Sequence, residues 1–530
     1  MKIPILSCAE AKAFEKRFFD PARADGTEAV PQEADFMRRA GIGIGEIAVE
    51  KLRHRAPTHV LALVGKGHNG GDALIATETI LRAFENAKIK LALAVFAEDW
   101  DELAPLTMDA YESLLRFREK PPVFFAGKNF SVEDFENFLA ENFPQNAPRR
   151  VVLDGIYGHG FRPPLRENVF RALVSANAAA RGSLRIAIDL PSGVSDSAFA
   201  PNCAFVADYT CAAGIVKTPL LAERNSRFVG RVVPVKIGFP AEDFRDYAAD
   251  TKSVLENLPL ARPVFCDKRS FGHLAIVGGS RSMPGALMLN TLAALRAGAG
   301  LVSVICPESV HAAFAARAPA AMWIPCREDE NGSLDAEDAF EKLRKFFPRA
   351  NTILCGSGMG DSENSRQLCT KIASKTPEKI ALVLDADALR PETISALSSR
   401  GNAAQNILLP HLGEFLRMGG EPGNENAFCE KNRVAIALKG AYTKVCNAHE
   451  SATTFAGTPA LARGGSGDLL AGMVGALFAS REGEFEKTAF AGDALQILLA
   501  AVIWHGTAAE RLASAQGIRT ADISALPEFF

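Results

Sequence analysis

The sequence predicts an α/β protein made of two domains, each with a mainly parallel sheet. Short, almost continuous apolar runs alternate with stretches of helical pattern along the whole chain. Such runs are typical of parallel strands that helices bury on both faces. The alternation occurs once in each half of the 530 residues, and this length suits more than one domain.

The apolar runs set the expected strands and the boundary between the halves. Strand signals stop after Pro240, and Pro259 and Pro263 interrupt the polar stretch that follows. We therefore expect domains at residues 1–245 and 255–530. The expected strands are residues 60–64, 90–96, 151–153, 186–188, 232–235, 273–277, 301–305, 352–354, 381–384 and 435–438.

Composition argues against several classes of protein. A net charge of −3 gives no reason to expect nucleic acid or an anionic membrane as a partner. The ten cysteines form no C-x-x-C pair, which argues against a zinc site and fits a reducing compartment. The first residues lack a signal-peptide pattern, and the apolar run 497–504 is too short to span a bilayer. We expect a soluble, cytoplasmic protein.

A glycine-rich segment, Gly464-Gly-Ser-Gly-Asp468, precedes an apolar helical run in the second half. Glycine lets the backbone turn its N–H groups inward without a Cβ clash. At a helix N-terminus such a loop binds anions, because the free N–H groups and the helix dipole act together. Asp468 is placed either to cap the helix or to act as a base beside a bound phosphate. Alone, the segment is equally typical of an ordinary capped helix.

Other motifs of the second half follow in order and extend this pattern. They are the strand-to-glycine segments 271–280 and 355–360, D-A-D-A-L at 385–389, P-H-L-G-E at 410–414 and K-G-A-Y-T at 439–443. Asp385 and Asp387 stand at the C-terminal end of a strand, where open α/β sheets bind ligands.

In this order the motifs resemble the ADP- or ATP-dependent NAD(P)H-hydrate dehydratases, a branch of the ribokinase-like superfamily, over residues 268–526. The resemblance implies Asp468 as the catalytic base and Mg²⁺ beside the phosphates, organised by Asp385 or Asp387. It implies that the nucleotide is bound by Lys439, Gly440, Ala441, Tyr442, Thr443 and Gly467. It implies that the hydrated nicotinamide is bound by Ala286, Gly358, His411 and Asp468.

The implied chemistry restores a nicotinamide ring that has gained water across a double bond. The ring hydroxyl is a poor leaving group, and in this family phosphoryl transfer from ADP or ATP converts it into phosphate, which then leaves. The chain departs from the family pattern at Leu412, where a second proline is common, and at 457–460, where G-N-P-G is common.

A second glycine-rich segment, Gly65 to Asp72, follows a strand in the first half and precedes an apolar helix expected to begin near Ala73. It is a poor match to a dinucleotide fingerprint and lacks the ending of an ATP-binding P-loop. Two further strand ends carry carboxylates, Asp154 before a Gly-x-Gly segment and Asp189 before Pro-Ser-Gly.

Together these segments resemble the NAD(P)H-hydrate epimerases, over residues 5–240. The resemblance implies a catalytic Asp189 and a K⁺ ion bound by Asn69, Asp154 and Ser192. It implies that the substrate is bound by His68, Asn69, Gly70, Gly71, Asp72, Gly158, His159, Gly160, Phe161, Arg162, Pro163, Pro164 and Asp189. The folds it implies are a Rossmann-like three-layer α/β sandwich and, after it, a ribokinase-like α/β domain with a mainly parallel central sheet.

Two alternatives stay open at this point. A ribokinase-like kinase of a vitamin precursor would explain the second glycine loop and Lys439, with a non-catalytic nucleotide-binding first domain. A scaffold that has lost activity would explain His68 and Ala73, where the epimerases usually have Asn and Gly, and the charged insert after Phe19. The sequence does not choose between ADP and ATP or between NADH and NADPH hydrates. ADP and a homo-oligomer are expected from the resemblance.

Overall fold

The computed structural model describes residues 2–20, 32–240, 244–258, 262–403, 405–480 and 493–530. Most of the insert expected after Phe19 lies outside the described residues. The chain forms two compact units, residues 2–248 and 249–530. None of the described helices is long and apolar enough to cross a membrane.

The first unit is built on a parallel sheet with the strand order β4-β3-β2-β5-β6-β7-β9. Beside it, β1 pairs with β8 in parallel and with β10 in antiparallel orientation. The strands are β1 (Ile3–Leu6), β2 (His59–Val64), β3 (Lys90–Val95), β4 (Val123–Phe125), β5 (Arg150–Gly155), β6 (Leu184–Ile188), β7 (Tyr209–Ala213), β8 (Val216–Lys217), β9 (Arg231–Val235) and β10 (Asp246–Ala248). The helices are α1 (Cys8–Phe18), α2 (Glu33–Lys51), α3 (His68–Ala83), α4 (Pro105–Phe117), α5 (Val132–Asn142), α6 (Glu167–Ala179) and α7 (Ser226–Val229).

Helices cover both faces of this sheet, as the apolar runs predict. Alternate residues of β2 point to opposite faces. Leu61 and Leu63 belong to a core cluster with Phe135 of α5 and Leu173 of α6. Val60 belongs to another core cluster, on α2 and α3. The three-layer arrangement is therefore confirmed for the first unit.

The second unit has the strand order β13-β12-β11-β14-β15-β16-β17-β18-β19. Its pairs are parallel from β13 to β17, and β18 and β19 continue the sheet in antiparallel orientation. The strands are β11 (His273–Val277), β12 (Leu301–Pro307), β13 (Met322–Cys326), β14 (Thr352–Cys355), β15 (Ala381–Leu384), β16 (Asn406–Leu408), β17 (Ala435–Leu438), β18 (Thr443–Cys446) and β19 (Ser451–Thr454). The helices are α8 (Thr251–Glu256), α9 (Pro284–Arg296), α10 (Glu308–Arg317), α11 (Ala336–Arg344), α12 (Glu363–Lys375), α13 (Pro391–Ala396), α14 (Leu412–Arg417), α15 (Glu425–Asn432), α16 (Ser466–Ser480) and α17 (Ala494–Gln516).

Close packing of α16 against α9 fixes where α16 begins over the sheet. A Cβ at Gly472 of α16 would lie 2.1 Å from the backbone oxygen of Asn290 in α9, so only glycine fits there. The Asn290 side chain donates a hydrogen bond of 2.7 Å to the backbone oxygen of Asp468. The hydrogen bond from Asn290 of α9 therefore fixes the position of the first turn of α16.

All of the predicted strands are present, but one helix boundary was wrong. Helix α3 begins at His68, with Gly67 as its N-cap, rather than near Ala73. Glycine disfavours a helix by about 1 kcal/mol, and tertiary packing overrides that preference here. A Cβ at Gly70 would lie 2.1 Å from the Gly65 oxygen, so the glycines let the first turn approach the strand end.

Candidate functional sites

A cavity of about 550 Å³ lies in the first unit. It opens where β2, β5 and β6 end, because Gly65, Ile156 and Asp189 all line it. The carboxyl ends of parallel strands are the usual ligand-binding edge of such a sheet. The predicted site residues that line the cavity are His68, Asn69, Asp72, Gly158, His159, Gly160, Phe161, Arg162, Pro164 and Asp189.

Three of the predicted substrate-binding residues, Gly70, Gly71 and Pro163, lie outside this lining. Gly70 packs against Gly65, and a Cβ at Gly71 would lie 2.8 Å from the Met37 sulfur. Both glycines therefore serve the packing of α3. Pro163 lines a neighbouring pocket of about 450 Å³ instead.

Asp189 is held in an unusual backbone and side-chain environment. Its φ is 66°, a left-handed conformation that is uncommon for residues other than glycine and often marks a functional site. Its carboxylate accepts a hydrogen bond from the ammonium of Lys217, which is fully buried. His159 lies on the other side, with Nδ1 at 3.3 Å from Asp189 Oδ2. Burial alone would raise the pKa of Asp189, but Lys217 and His159 outweigh it and hold that pKa at about 2.

Lys217 is a functional residue that sequence reasoning missed. It ends β8, a strand of two residues that pairs with β1, so its approach to Asp189 depends on tertiary structure. The signal was a lysine within an apolar stretch, since Ile215 and Val216 before it are buried. A buried lysine normally requires a carboxylate partner.

Two histidine–glutamate pairs also line the cavity. His159 Nε2 lies 3.2 Å from Glu15 Oε2, and the two side chains are 22% and 26% exposed. His68 Nδ1 lies 3.2 Å from Glu33 Oε1, and these side chains are 46% and 48% exposed. The first pair is therefore the more buried of the two. Glu15 and Glu33 were not predicted, because their helices are distant in sequence from the motifs.

Asp72 faces the same cavity as a second buried carboxyl group. Burial, and then the negative charge of Asp189, raise the pKa of Asp72 well above its usual range. Among the described residues, nothing hydrogen-bonds to its Oδ1. The two buried carboxyl groups of the cavity therefore have pKa values shifted in opposite directions.

Asp154 and Ser192, two of the three predicted K⁺ ligands, are in direct contact. Ser192 Oγ donates to Asp154 Oδ1 at 2.6 Å, and the Ser192 backbone N–H donates to Oδ2 at 2.8 Å. Both side chains are fully buried. Burial raises the pKa of Asp154 to about 6 despite these hydrogen bonds. No basic side chain of the described chain pairs with this carboxylate.

The second unit places the other glycine loop at the N-terminus of α16. Gly465 has a φ of 93°, which lets the chain turn into the helix. Gly467 and Asp468 lie in the first turn, so their N–H groups belong to the helix end that binds anions. A Cβ at Gly467 would lie 3.4 Å from the Nζ of Lys439. The loop and Lys439 therefore face the same space, as the sequence predicts.

Lys439 and three carboxylates form the charged centre of this site. Lys439 Nζ lies 2.7 Å from Asp385 Oδ1, and Asp385 is buried. Burial would lower the pKa of Lys439, but Asp385 and then Glu414 and Asp468 raise it. Burial and the nearby charge of Asp385 raise the pKa of Asp468 to about 6. Asp468 is thus a stronger base than an ordinary aspartate and is still ionised at neutral pH.

Apart from His411, the remaining predicted residues of the second unit lie either around the glycine segment 358–360 or just after β17. Gly358 has a φ of 68°, and a Cβ there would lie 3.0 Å from that of Ala286, so these two predicted substrate ligands are neighbours. Asp387 Oδ2 accepts a hydrogen bond of 2.7 Å from the Gly360 N–H and so holds the same glycine loop. Gly440, Ala441 and Tyr442 lie in the turn between β17 and β18, and Thr443 begins β18.

His411 is engaged in capping a helix. Its Nδ1 accepts from the Glu414 N–H at 3.2 Å, and Glu414 Oε2 accepts from the His411 N–H at 2.8 Å. The backbone of His411 pairs in parallel with Lys439, which brings the two motifs side by side. Its side chain remains 61% exposed, and Nε2 lies 3.5 Å from Glu414 Oε1.

Comparison with known proteins places these sites in a family. The bifunctional NAD(P)H-hydrate repair enzyme Nnr of Gloeobacter violaceus is 30% identical over 517 residues, which cover 94% of this chain and 92% of that protein. The chain belongs to the family of bifunctional NAD(P)H-hydrate repair enzymes. Another member, from Thermosynechococcus vestitus, is 29% identical over 500 residues and 90% of this chain, or 89% of its own length.

Two family models match this repair enzyme, and each match lies within one of its two units. Residues 33–219 match the YjeF-related protein N-terminus, and residues 274–528 match NAD(P)H-hydrate dehydratase. A crystal structure of the ADP/ATP-dependent NAD(P)H-hydrate dehydratase from Bacillus subtilis, obtained with ATP and Mg²⁺, is 24% identical. It covers 53% of this chain and 94% of its own, with a TM-score of 0.41.

Proposed function

We propose that this enzyme repairs hydrated NADH and NADPH in two steps. The first unit interconverts the R and S hydrates, and the second unit dehydrates the S hydrate with ADP as phosphoryl donor. Membership of the repair family, over both halves of the chain, disfavours a vitamin-precursor kinase and a scaffold without activity. A homo-oligomer and a cytoplasmic location remain predictions.

The dehydratase step uses Asp468 as a general base. Asp468 takes the proton of the ring hydroxyl, and the hydroxyl oxygen attacks the terminal phosphorus of ADP, so AMP leaves. The carbon–oxygen bond then breaks, phosphate leaves with the electron pair, and loss of a ring proton restores the double bond. A positioned base contributes about 10²–10⁴-fold to such a step. The raised pKa of Asp468 suits this task.

The glycine loop and Lys439 stabilise the transferring phosphoryl group. N–H groups at the start of α16 bind its oxygens without reorganising, and Lys439 adds a positive point charge. Lys439 keeps that charge because three carboxylates surround it. Gly467 matters here because a side chain would push into the space beside Nζ.

Mg²⁺ fits this site as an ion that arrives with the nucleotide. The described residues contain no group of three or more His, Cys, Asp or Glu side chains that could hold a metal by itself. Mg²⁺ typically takes one or two carboxylates together with phosphate oxygens and water. Asp385 or Asp387 would supply that carboxylate, and the ion would neutralise charge on the phosphates.

The epimerase step is assigned to Asp189 and the cavity around it. The hydroxyl of the hydrated ring stands on a carbon bonded to the ring nitrogen, so it can leave as water and return to the other face. We assign Asp189 to help proton movement at this carbon by attracting positive charge, because it is buried, ionised and lines the cavity. The residues that line the cavity would bind the phosphates and ribose.

K⁺ fits the pocket of Asn69, Asp154 and Ser192. Asp154 is a buried carboxylate without a basic partner among the described residues, and burial raises its pKa. Asn69 would add its amide oxygen as a ligand. Hard oxygen ligands are those an alkali cation prefers. The ion would neutralise Asp154 next to the substrate-binding segment.

One observation supports the dehydratase proposal most directly: Asp468 stands in the first turn of α16, next to Lys439. The test supplies the S hydrate of NADH with ADP, ATP or no nucleotide and follows absorbance at about 340 nm, where reduced nicotinamide absorbs. We expect NADH to form with ADP and Mg²⁺. A preparation that binds nucleotide but forms no NADH would contradict the proposal.

A further inference from the structure

Four charged side chains of the first unit form a continuous row from its core to its surface. Lys217 is fully buried and donates to Asp189 Oδ1. Asp189 Oδ2 lies 3.3 Å from His159 Nδ1, and His159 Nε2 lies 3.2 Å from Glu15 Oε2. All four residues line the cavity, and the row ends at Glu15, whose side chain is partly exposed to solvent.

We propose that His159 is the residue that donates and removes the proton during epimerisation, and that Asp189 and Glu15 position its ring. This inference rests on the proposed epimerase function and deepens it. His159 occupies the x of the Gly-x-Gly segment after β5, and the resemblance implies substrate binding for it but no part in proton transfer. Asp189 holds Nδ1, which is the arrangement that orients a catalytic imidazole, and Nε2 would pass its proton to the ring hydroxyl in place of the partly exposed Glu15.

The reaction needs one proton, which is given and then recovered. His159 protonates the ring hydroxyl, the carbon–oxygen bond breaks, and water leaves with the electron pair. The ring nitrogen donates its lone pair to the carbon, which gives a planar cation. Water then adds from the opposite face, and its extra proton returns to His159. No oxidant, reductant or net proton is consumed.

His159 is suited to this task by its neighbours. Burial alone would lower its pKa, but hydrogen bonds to Asp189 and Glu15 raise it to about 9, so the ring is protonated at neutral pH. Lys217 opposes that rise. Asp189 cannot supply the proton, because Lys217 and His159 keep it ionised.

Asp72 is the other group of the cavity whose pKa is raised, and its surroundings differ. Asp72 is buried, and among the described residues nothing hydrogen-bonds to its Oδ1. His159 instead contacts Glu15, which is 26% exposed and can exchange protons with water. A residue that must be reprotonated between turnovers needs such a route.

The experiment measures R-to-S conversion by chromatography, with full-length protein and without ADP, after subtraction of the spontaneous rate. We expect His159→Gln to lower kcat by about 10²-fold or more, the usual contribution of a proton-transfer group, with KM changed far less. Glu15→Gln should lower kcat less. It should also move the alkaline limb of the pH profile, near 9 in the unchanged protein, to lower pH. His54→Gln and Glu46→Gln, on exposed positions of the same unit, are the matched controls.

The outcomes distinguish the role of His159 from the epimerase function itself. Hydrogen exchange of the β5 and β6 amides reports that the first unit of a variant is folded, and dehydration of the S hydrate with ADP reports that the second unit is intact. Wild-type kcat in His159→Gln, or an unmoved alkaline limb in Glu15→Gln, would overturn the role of His159. Absence of R-to-S conversion above the spontaneous rate in the unchanged protein would overturn the epimerase function itself.

Discussion

Two aspartates of this enzyme are buried in opposite electrostatic surroundings. Asp189 faces Lys217 and His159, and its pKa is held near 2. Asp468 is buried beside Asp385, and its pKa is raised to about 6. Environments that shift the pKa values of two carboxyl groups in opposite directions are typical of sites where the groups have different tasks. We propose that Asp189 orients and attracts positive charge here and that Asp468 removes a proton.

The raised pKa of Asp468 predicts the acid limb of the dehydratase pH profile. The base works only when ionised, so kcat/KM for the S hydrate should fall as pH drops through about 6. Stopped assays at constant ionic strength, with saturating ADP, measure the profile. A limb near 4, the usual value for aspartate, would contradict the raised pKa of Asp468.

Lys217 is predicted to stabilise the first unit through its ion pair with Asp189. Lys217→Met leaves a buried carboxylate without a partner, which destabilises by about 3–5 kcal/mol. Because the pKa of Asp189 is lowered, the pair stabilises the unchanged protein above about pH 4, and this is lost as pH falls through about 2. Hydrogen exchange of the β6 amides measures the effect at pH 7. Lys252→Met, at an exposed lysine, is the control, and equal protection in Lys217→Met and the unchanged protein would contradict the prediction.

Potassium is predicted to stabilise the first unit through Asp154. A cation binds the ionised carboxylate, so K⁺ should increase protection of the β5 amides relative to tetramethylammonium. The increase should grow as pH rises through about 6 and vanish below it, because the folded-state pKa of Asp154 is raised. Asp154→Asn should abolish the K⁺ effect. A stabilisation that survives this substitution would place the ion elsewhere.

At the scale of elements, the glycine loop before α16 depends on backbone conformation. Gly465 has a φ of 93°, and a Cβ there would also lie 2.6 Å from Leu289 Cδ1. We expect Gly465→Ala to destabilise the second unit by about 1–2 kcal/mol and to weaken ADP binding, because the loop must change shape. Gly464→Ala is the stability control, since a Cβ there meets nothing within 4 Å. Thermal unfolding and calorimetric titration with ADP measure both effects, and identical results for the two variants would contradict the prediction.

Elements built from local sequence were predictable, and contacts between distant elements were not. The apolar runs predicted β2 and β11, and the glycines predicted the turn into α16. The start of α3 was wrong because packing against Gly65 overrides the low helix propensity of its glycines. The β18–β19 hairpin was not predicted.

The same division holds at the candidate sites. Asp189, Lys439 and Asp468 stand in motifs that the sequence displays. Lys217 and Glu15 reach the cavity from β8 and α1, and nothing local to either residue indicates its partner. Burial and ion pairing, which sequence does not reveal, are what identify them.

On the scale of the whole molecule, the two units supply chemically successive steps. The dehydratase step is proposed to accept the S hydrate, so the epimerase step makes the R hydrate usable. Each unit has its own core and its own buried acidic residue, so each activity can be removed without the other. Because the two units are fused in one chain, the cell makes them in equal numbers.

The most direct test of the central claim compares Asp468→Asn with the unchanged protein, using the S hydrate of NADH with ADP and Mg²⁺. We expect the variant to lose about 10²–10⁴-fold in NADH formation while R-to-S conversion and thermal stability stay unchanged. Glu341→Gln, which neutralises an exposed carboxylate of the same unit, should keep full activity. NADH formation at the wild-type rate in Asp468→Asn would contradict the account.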